Sequence, residues 1–265
     1  DRVALFLKKF LPKSLVYALI RFKNVYIQQS LFKRVRAFPD RSKKFLIDQV
    51  KKELPDFDVD KHFTPSYNPW EQRMCLIPNS DFFNAIKDKS ATVVTDHIEA
   101  FEENGIKLKS GDFLEADIIV TATGLVLQNF GGVNISVNNN PVNVSQTMTY
   151  KSLMYSDIPN FVNSFGYINA SWTLKADLTS TYLCRLIKHM DQNNYLSACP
   201  KKPLDVDETY DWLKDFSSGY IQRSIGLHPQ QGSKKPWVNY QDYIKDWFDV
   251  KFSKLEDGNL VFSKD

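Results

Sequence analysis

The sequence predicts an α/β protein, and three observations carry this prediction. The stretch DIIVTATG, residues 117–124, is a continuous apolar run that ends at a glycine, as in strands buried on both faces of a parallel sheet. Apolar residues recur with helical spacing near the N-terminus. Between residues 98 and 117, the turn signals Asn104-Gly105 and Ser110-Gly111 predict a small antiparallel meander.

Three basic helices are expected at the N-terminus. The first carries an apolar stripe of Val3, Phe6, Leu7, Phe10 and Leu11. Pro12 should end this helix, Ser14 should cap a second helix, and Asp40 should cap a third that ends before Pro55.

The middle of the chain alternates short helices and strands. Ser80 or Asn79 should cap a short helix, and a strand, Thr92–Asp96, should follow it. A second glycine-ended strand is expected at Phe161–Gly166, and Ser171 should cap a helix from about Trp172 to Met190. Ligands of open α/β sheets bind where strands end, so these glycines mark a candidate site.

Pro200–Pro203 marks a boundary before an aromatic tail. This tail contains three tryptophans, Trp212, Trp237 and Trp247, and no motif that indicates a chemistry.

Composition and charge narrow the functional classes. The chain has 265 residues, which suits one or two domains, and a net charge of +3. Residues 1–53 hold 14 Lys and Arg against 4 Asp and Glu, whereas the remainder holds 20 against 27. Because no apolar run reaches the roughly 18 residues of a membrane span and no signal peptide is visible, a cytoplasmic location is expected.

The sequence lacks the motifs of several common kinds of functional site. The ten glycines form no GxGxxG and no GxxxxGK[ST], and GxSxG is absent, so no phosphate-binding loop or nucleophile elbow lies here. The three cysteines are not spaced as a CxxC motif, which argues against a disulfide framework or a zinc knuckle. The four histidines are scattered, so no metal site is expected.

Four segments carry a resemblance to a known family. DIIVTATGL resembles the Asp…Ala-Thr-Gly motif of flavoproteins with two dinucleotide-binding domains. Residues 62–78 (HFTPSYNPWEQRMCLIP), 166–177 (GYINASWTLKAD) and 231–237 (QGSKKPW) resemble the Baeyer–Villiger and flavin-containing monooxygenases. The similarity runs over nearly the whole chain.

The resemblance implies an incomplete Rossmann-like flavoprotein. Such enzymes carry both glycine fingerprints upstream of the matched region, so the chain looks like the C-terminal part of a longer enzyme. Residues 1–128 would then be the remainder of the NADPH-binding domain, residues 129–200 part of the FAD-binding domain, and residues 201–265 an extension.

The chemistry implied is oxygenation by a flavin. In this family NADPH reduces FAD, and reduced flavin adds O2 to give a C4a-peroxyflavin. This peroxide attacks small hydrophobic ketones or the sulfur or nitrogen of thioethers, thioamides and amines. The chain alone, without the glycine fingerprints, is expected to be inactive.

The resemblance also implies site residues. Arg73 is the expected catalytic residue, because a fixed cation stabilises developing negative charge. Gln72 stands where relatives often have a lysine for the phosphate of the nicotinamide cofactor. The other cofactor-binding residues expected are Thr123, Gly124, Gln128, Ser171, Trp172, Thr173 and Lys175. The alternatives are structural: an ion-paired loop arginine, a strand-end turn, and an ordinary capped helix with Trp172 in the core.

Two other functions remain open from the residues. Basic helices in residues 1–53 would also suit peripheral contact with an anionic membrane, while nucleic-acid binding is not expected. A flavin-dependent pyridine-nucleotide oxidoreductase without oxygenation shares the architecture, although its disulfide-reductase branch needs a redox dithiol that is absent here.

Overall fold

The chain divides into two units in its computed structural model, which describes residues 1–75, 77–203, 207 and 216–265. Unit 1 contains residues 1–34 and 126–265, and unit 2 contains residues 35–125. The domain boundaries predicted from the sequence stay a prediction. Trp212 of the aromatic tail lies outside the described residues.

Three N-terminal helices form, but the first ends at Leu7, before Phe10, Leu11 and Pro12, and two of the predicted caps differ. α1 (Arg2–Leu7) is capped by Asp1, whose carboxylate accepts the Val3 N–H at 2.9 Å. α2 (Lys13–Ala37) begins one residue before Ser14, which therefore does not cap it.

α3 (Pro39–Glu53) begins at Pro39 and ends before Pro55, as predicted. Phe38 is its N-cap, so the prediction for Asp40 was wrong. The fixed φ of proline suits the first helical position, and Asp40 lies in the first turn, where its charge favours the helix dipole. Within the described ranges, no helix combines the length and apolar character of a bilayer span.

The rest of unit 2 contains two short helices and the predicted meander. α4 (Val59–His62) is followed by α5 (Asp81–Lys87), whose N-cap is Ser80. β1 (Ile98–Glu102), β2 (Gly105–Leu108) and β3 (Phe113–Glu115) form an antiparallel sheet in that order.

Thr92–Asp96 is irregular, so the predicted strand was wrong. The end of this segment is held by hydrogen bonds other than strand pairing. The Asp96 carboxylate accepts them from the backbone N–H groups of His97 and Ser110.

The buried strand predicted at DIIVTATG does not form. Residues 117–124 are irregular and exposed, with Ile118 at 82% and Val120 at 84% of full exposure. A strand exists only through pairing with a neighbour, and no described strand lies beside this segment to supply one. The apolar run is therefore left facing solvent.

Besides α1 and most of α2, unit 1 contains a second long helix and short antiparallel strand pairs. α6 (Trp172–Asn193) begins after Ser171 as predicted. Two shorter helices, α7 (Gly219–Ser224) and α8 (Tyr243–Phe252), follow it. The antiparallel pairs are β4 (Ser136–Val137) with β5 (Asn140–Pro141), β6 (Thr149–Tyr150) with β7 (Met154–Tyr155), and β8 (Ser197–Pro200) with β9 (Leu260–Ser263).

The strand predicted at Phe161–Gly166 is reduced to one bridge between Val162 and Met154. The core of unit 1 packs around aromatic side chains, with the Tyr150 and Trp237 ring centroids 5.5 Å apart. The described architecture of helices and small antiparallel sheets is compatible with the α/β class. A Rossmann-like sheet stays a prediction.

Candidate functional site

A cavity of about 290 Å³ in unit 1 contains two of the residues predicted to bind a cofactor, Gln128 and Trp172. We call it the Trp172 pocket. Its described lining consists of Leu127, Gln128, Asn129, Phe130, Thr149, Ser152, Tyr155, Asn163, Ser164, Phe165, Trp172, His228, Pro229 and Asn239. The volume lies at the lower end of the range for ligand pockets, so it suits a ring or a small molecule.

Gly166 fixes the position of Trp172. A Cβ atom at Gly166 would lie closer than 3.0 Å to three atoms of the Trp172 indole, so only glycine leaves room for the ring. The ring also packs against Phe165, with centroids 5.2 Å apart. The glycine that the sequence marked at a strand end therefore serves the packing of Trp172.

The loop after residue 127 positions Gln128. Its side chain lies against Gly132, where a Cβ atom would stand 3.0 Å from Gln128 Nε2. Gly132 has a φ of 82°, a conformation that also favours glycine. Asn129 anchors the loop by donating from Nδ2 to the Leu227 carbonyl.

The strand pair β6 and β7 supplies the polar floor of the pocket. Thr149 is held by its backbone N–H, which donates to the Gln230 carbonyl at 2.9 Å. The Tyr155 hydroxyl accepts a hydrogen bond from Asn163 Nδ2 at 2.9 Å. The Thr149 hydroxyl, by contrast, is buried and has no hydrogen-bond partner among the described residues.

The pocket carries no formal charge. None of its described lining residues is Asp, Glu, Lys or Arg. Burial lowers the pKa of His228 below its ordinary value of 6.5, and burial raises the pKa of Tyr155, so both side chains are neutral near pH 7. The His228 Nε2 atom lies 3.4 Å from the Ser224 hydroxyl.

The first turn of α6 faces a second, more open cavity of about 610 Å³. Ser171 and Thr173 line it, and their hydroxyl oxygens are 2.8 Å apart. Three cationic side chains, Lys8, Lys13 and Arg21, line the same cavity. The Ser171 hydroxyl makes no capping bond to the helix backbone and is hydrogen-bonded to the Thr173 hydroxyl instead.

Lys175 is buried in the core of unit 1 and lines neither cavity. Its Nζ atom lies 2.8 Å from Asp246 Oδ2, and the Tyr167 hydroxyl donates to the same oxygen at 2.7 Å. This buried ion pair joins α6 to α8. A cofactor contact for Lys175 stays a prediction.

In unit 2, Gln72 and Arg73 line one cavity of about 220 Å³. Lys43 adds a second cation to its otherwise largely apolar wall. The Arg73 side chain is exposed and makes no hydrogen bond or ion pair with any residue that the structure describes.

Thr123 and Gly124 lie in the exposed run after Asp117 and line none of these cavities. Gly124 has a φ of 118°, so the backbone there requires a glycine.

Sequence reasoning missed Thr149 and His228. Thr149 lies in a two-residue strand without periodicity, and His228 lies in the tail, so no local pattern indicated either one. Within the described ranges, no group of three or more His, Cys, Asp or Glu could hold a metal ion.

Comparison with known proteins finds similarity over the whole chain. It is 43% identical over 266 residues to the FAD-containing monooxygenase EthA of Mycobacterium tuberculosis (strain ATCC 25618 / H37Rv), covering 100% of this chain and 54% of that protein. It is 41% identical over 257 residues to the probable FAD-binding monooxygenase AlmA of an Acinetobacter species, covering 97% and 52%. No protein-family model matches the chain.

A third relative is the putative FAD-containing monooxygenase MymA of Mycobacterium tuberculosis (strain ATCC 25618 / H37Rv), at 40% identity over 263 residues, covering 99% of this chain and 53% of that protein. The chain thus spans about half the length of the curated relatives it matches. The resemblance to FAD-containing monooxygenases is confirmed.

Proposed function

We propose that this chain, which is similar along its whole length to FAD-containing monooxygenases, forms part of a flavin-dependent monooxygenase. The full-length similarity carries the proposal. FAD supplies the activation of O2 when it is bound, and NADPH supplies the electrons. The substrates are small hydrophobic ketones or compounds with an oxidisable sulfur or nitrogen.

The Trp172 pocket fits the ring system of a flavin. Its size suits a ring rather than a whole dinucleotide, and its uncharged lining suits a neutral ring. The orphaned Thr149 hydroxyl offers a hydrogen bond to a ring oxygen. Trp172 and Gln128 would then contact the ring.

The first turn of α6 would stabilise negative charge on the cofactor. Backbone N–H groups at a helix N-terminus lack intrahelical partners and carry partial positive charge. The hydrogen-bonded hydroxyls of Ser171 and Thr173 leave one O–H to donate at this end, and the neighbouring Lys8, Lys13 and Arg21 add positive potential.

The phosphates of both cofactors require loops that these residues do not contain. No GxGxxG stretch occurs in the sequence, so we expect the 265-residue chain by itself to bind neither FAD nor NADPH well. The chain expressed alone should purify without flavin. Stoichiometric FAD in that preparation would contradict this part of the proposal.

Arg73 would stabilise the charge that develops on the substrate oxygen. An arginine remains protonated at any working pH, and in this structure its charge has no partner among the described residues. Removal of one such donor typically lowers the rate by about 10²–10³. Because Gln72 replaces the expected lysine, the preference for NADPH over NADH should be modest.

The test measures oxygenation by the native protein. Substrate-dependent NADPH oxidation should accompany product formation from a cyclic ketone or a thioether, detected by mass spectrometry. The Arg73→Ala variant should lose about 10²–10³ in rate, whereas Arg41→Ala, an exposed arginine on α3, should lose little. NADPH oxidation without any oxygenated product would instead favour an oxidoreductase that does not oxygenate.

A second candidate activity is peripheral membrane contact, favoured by the apolar surface of α1 and α2. Phe6, Phe22 and Tyr26 are exposed, and so are Lys9 and Lys13 in the same part of the chain. Aromatic side chains interleaved with lysines suit an anionic bilayer surface. Native protein should sediment with phosphatidylserine vesicles at low salt and be released at high salt, and no sedimentation at low salt would exclude this activity.

A further inference from the structure

We propose that the Trp172 pocket is a binding site for a neutral carbonyl group and that the Thr149 hydroxyl is its hydrogen-bond donor. The carbonyl belongs either to the flavin ring or to the substrate. This inference deepens the proposed function and rests on it only for the identity of the flavin.

The Thr149 hydroxyl is the first argument. Its oxygen is buried, with the residue only 6% exposed, and has no partner among the described residues. A buried polar group without a partner is unfavourable, and native proteins satisfy nearly all of them. Because Thr149 lines the pocket and its backbone is fixed by β6, a ligand in the pocket is the natural partner.

Asn239 supplies a second donor. Its Oδ1 atom accepts two hydrogen bonds from Gln241, from the backbone N–H at 3.2 Å and from Nε2 at 3.1 Å. Its Nδ2 atom donates to no described residue. An amide whose oxygen is occupied can offer only its N–H groups, so Asn239 and Thr149 together favour a ligand that accepts hydrogen bonds.

The absence of charge decides between a carbonyl and a carboxylate. No described lining residue is cationic, and burial keeps His228 neutral near pH 7. A carboxylate would therefore lose its hydration without gaining a counter-ion, which is far more costly than burial of a neutral carbonyl. The pocket should bind a neutral ligand and reject its anionic isostere.

Benzamide and benzoate test this selection because they have nearly the same shape and differ in charge. Their affinities are measured by calorimetry on native protein stripped of flavin. Benzamide should bind at least about 100-fold more tightly than benzoate. Benzoate binding as tight as benzamide binding would overturn the proposal.

Thr149→Val removes the hydroxyl while keeping the shape. It should lower the affinity for benzamide about tenfold, which is the usual effect of one lost hydrogen bond. Thr149→Ser should restore the affinity. The melting temperature of the Thr149→Val variant should be no lower than that of the wild type, because this substitution removes an unpaired polar group. Thr147→Val is the matched control, since the Thr147 hydroxyl donates to the Val144 carbonyl at 2.7 Å and does not line the pocket.

Flavin-loaded protein distinguishes the two sources of the carbonyl. If the carbonyl belongs to the flavin ring, loading with flavin should prevent benzamide binding, and the Thr149→Val variant should release FAD more readily. If the substrate supplies it, loaded protein should still bind benzamide and the variant should keep its FAD. Thr149→Val with unchanged benzamide affinity and unchanged FAD retention would refute the proposal. None of these measurements needs turnover, so they stand apart from a failure to detect oxygenation.

Discussion

Replacement of Gly166 by alanine should displace Trp172 and destabilise unit 1. The new Cβ atom would lie closer than 3.0 Å to three indole atoms, so the ring must move. Gly166 does not have a positive φ, so the backbone itself accepts alanine. The loss is therefore steric, and overpacking of this kind costs about 1–3 kcal/mol.

Part of this loss comes from the aromatic contact. The Trp172 ring is half-exposed and can swing outward, which would break its packing against Phe165 at 5.2 Å. Such a pair contributes about 0.5–1.5 kcal/mol. The displaced ring would also reshape the Trp172 pocket, so FAD retention should fall together with stability.

Urea unfolding of the native protein measures the effect. Gly166→Ala should lower the free energy of unfolding by about 1–3 kcal/mol, and this loss should largely vanish in a Trp172→Ala background. Gly226→Ala is the matched control, because nothing lies within 4 Å of its Cβ position. A full loss in the Trp172→Ala background would refute the steric explanation.

Three further predictions concern side chains of unit 1. Lys175→Ala should cost about 3–5 kcal/mol in urea unfolding because it leaves Asp246 buried without its ion pair; an equal loss for the exposed Lys188→Ala would contradict this. Asp242→Ala should lower the free energy of unfolding by about 0.5–2 kcal/mol, because Asp242 caps α8. Asp242→Asn should keep most of that stability, and the melting temperatures of the two variants test this difference. Burial lowers the pKa of His228, so the free energy of unfolding should fall as pH drops through 6.5 and level off below the folded-state pKa. His228→Asn should remove that part of the pH dependence in denaturation curves taken from pH 7.5 to 5.

Local features could be predicted from the sequence because their causes are local. The meander around Asn104-Gly105 depends on turn residues within a few positions. The helix after Ser171 begins at the predicted residue, although the Ser171 hydroxyl makes no capping bond. Both formed where expected.

Features that depend on distant partners could not be predicted. DIIVTATG has the composition of a buried strand, but pairing needs a neighbour that no local pattern specifies. The same holds for the site. Gln128 and Trp172 were selected by resemblance, whereas Thr149 reaches the pocket only through its pairing with β7 and its bond to Gln230.

The division of the chain also has a consequence for its synthesis. Unit 2 is one continuous stretch, whereas unit 1 joins residues 1–34 to residues 126–265. The ion pair between Arg21 and Asp177 spans 156 residues, so α2 leaves the ribosome long before its partner exists. Unit 2 should therefore fold first during translation. The apolar side chains of α2 stay exposed to solvent until the rest of unit 1 is synthesised, so α2 is the segment that most needs a chaperone.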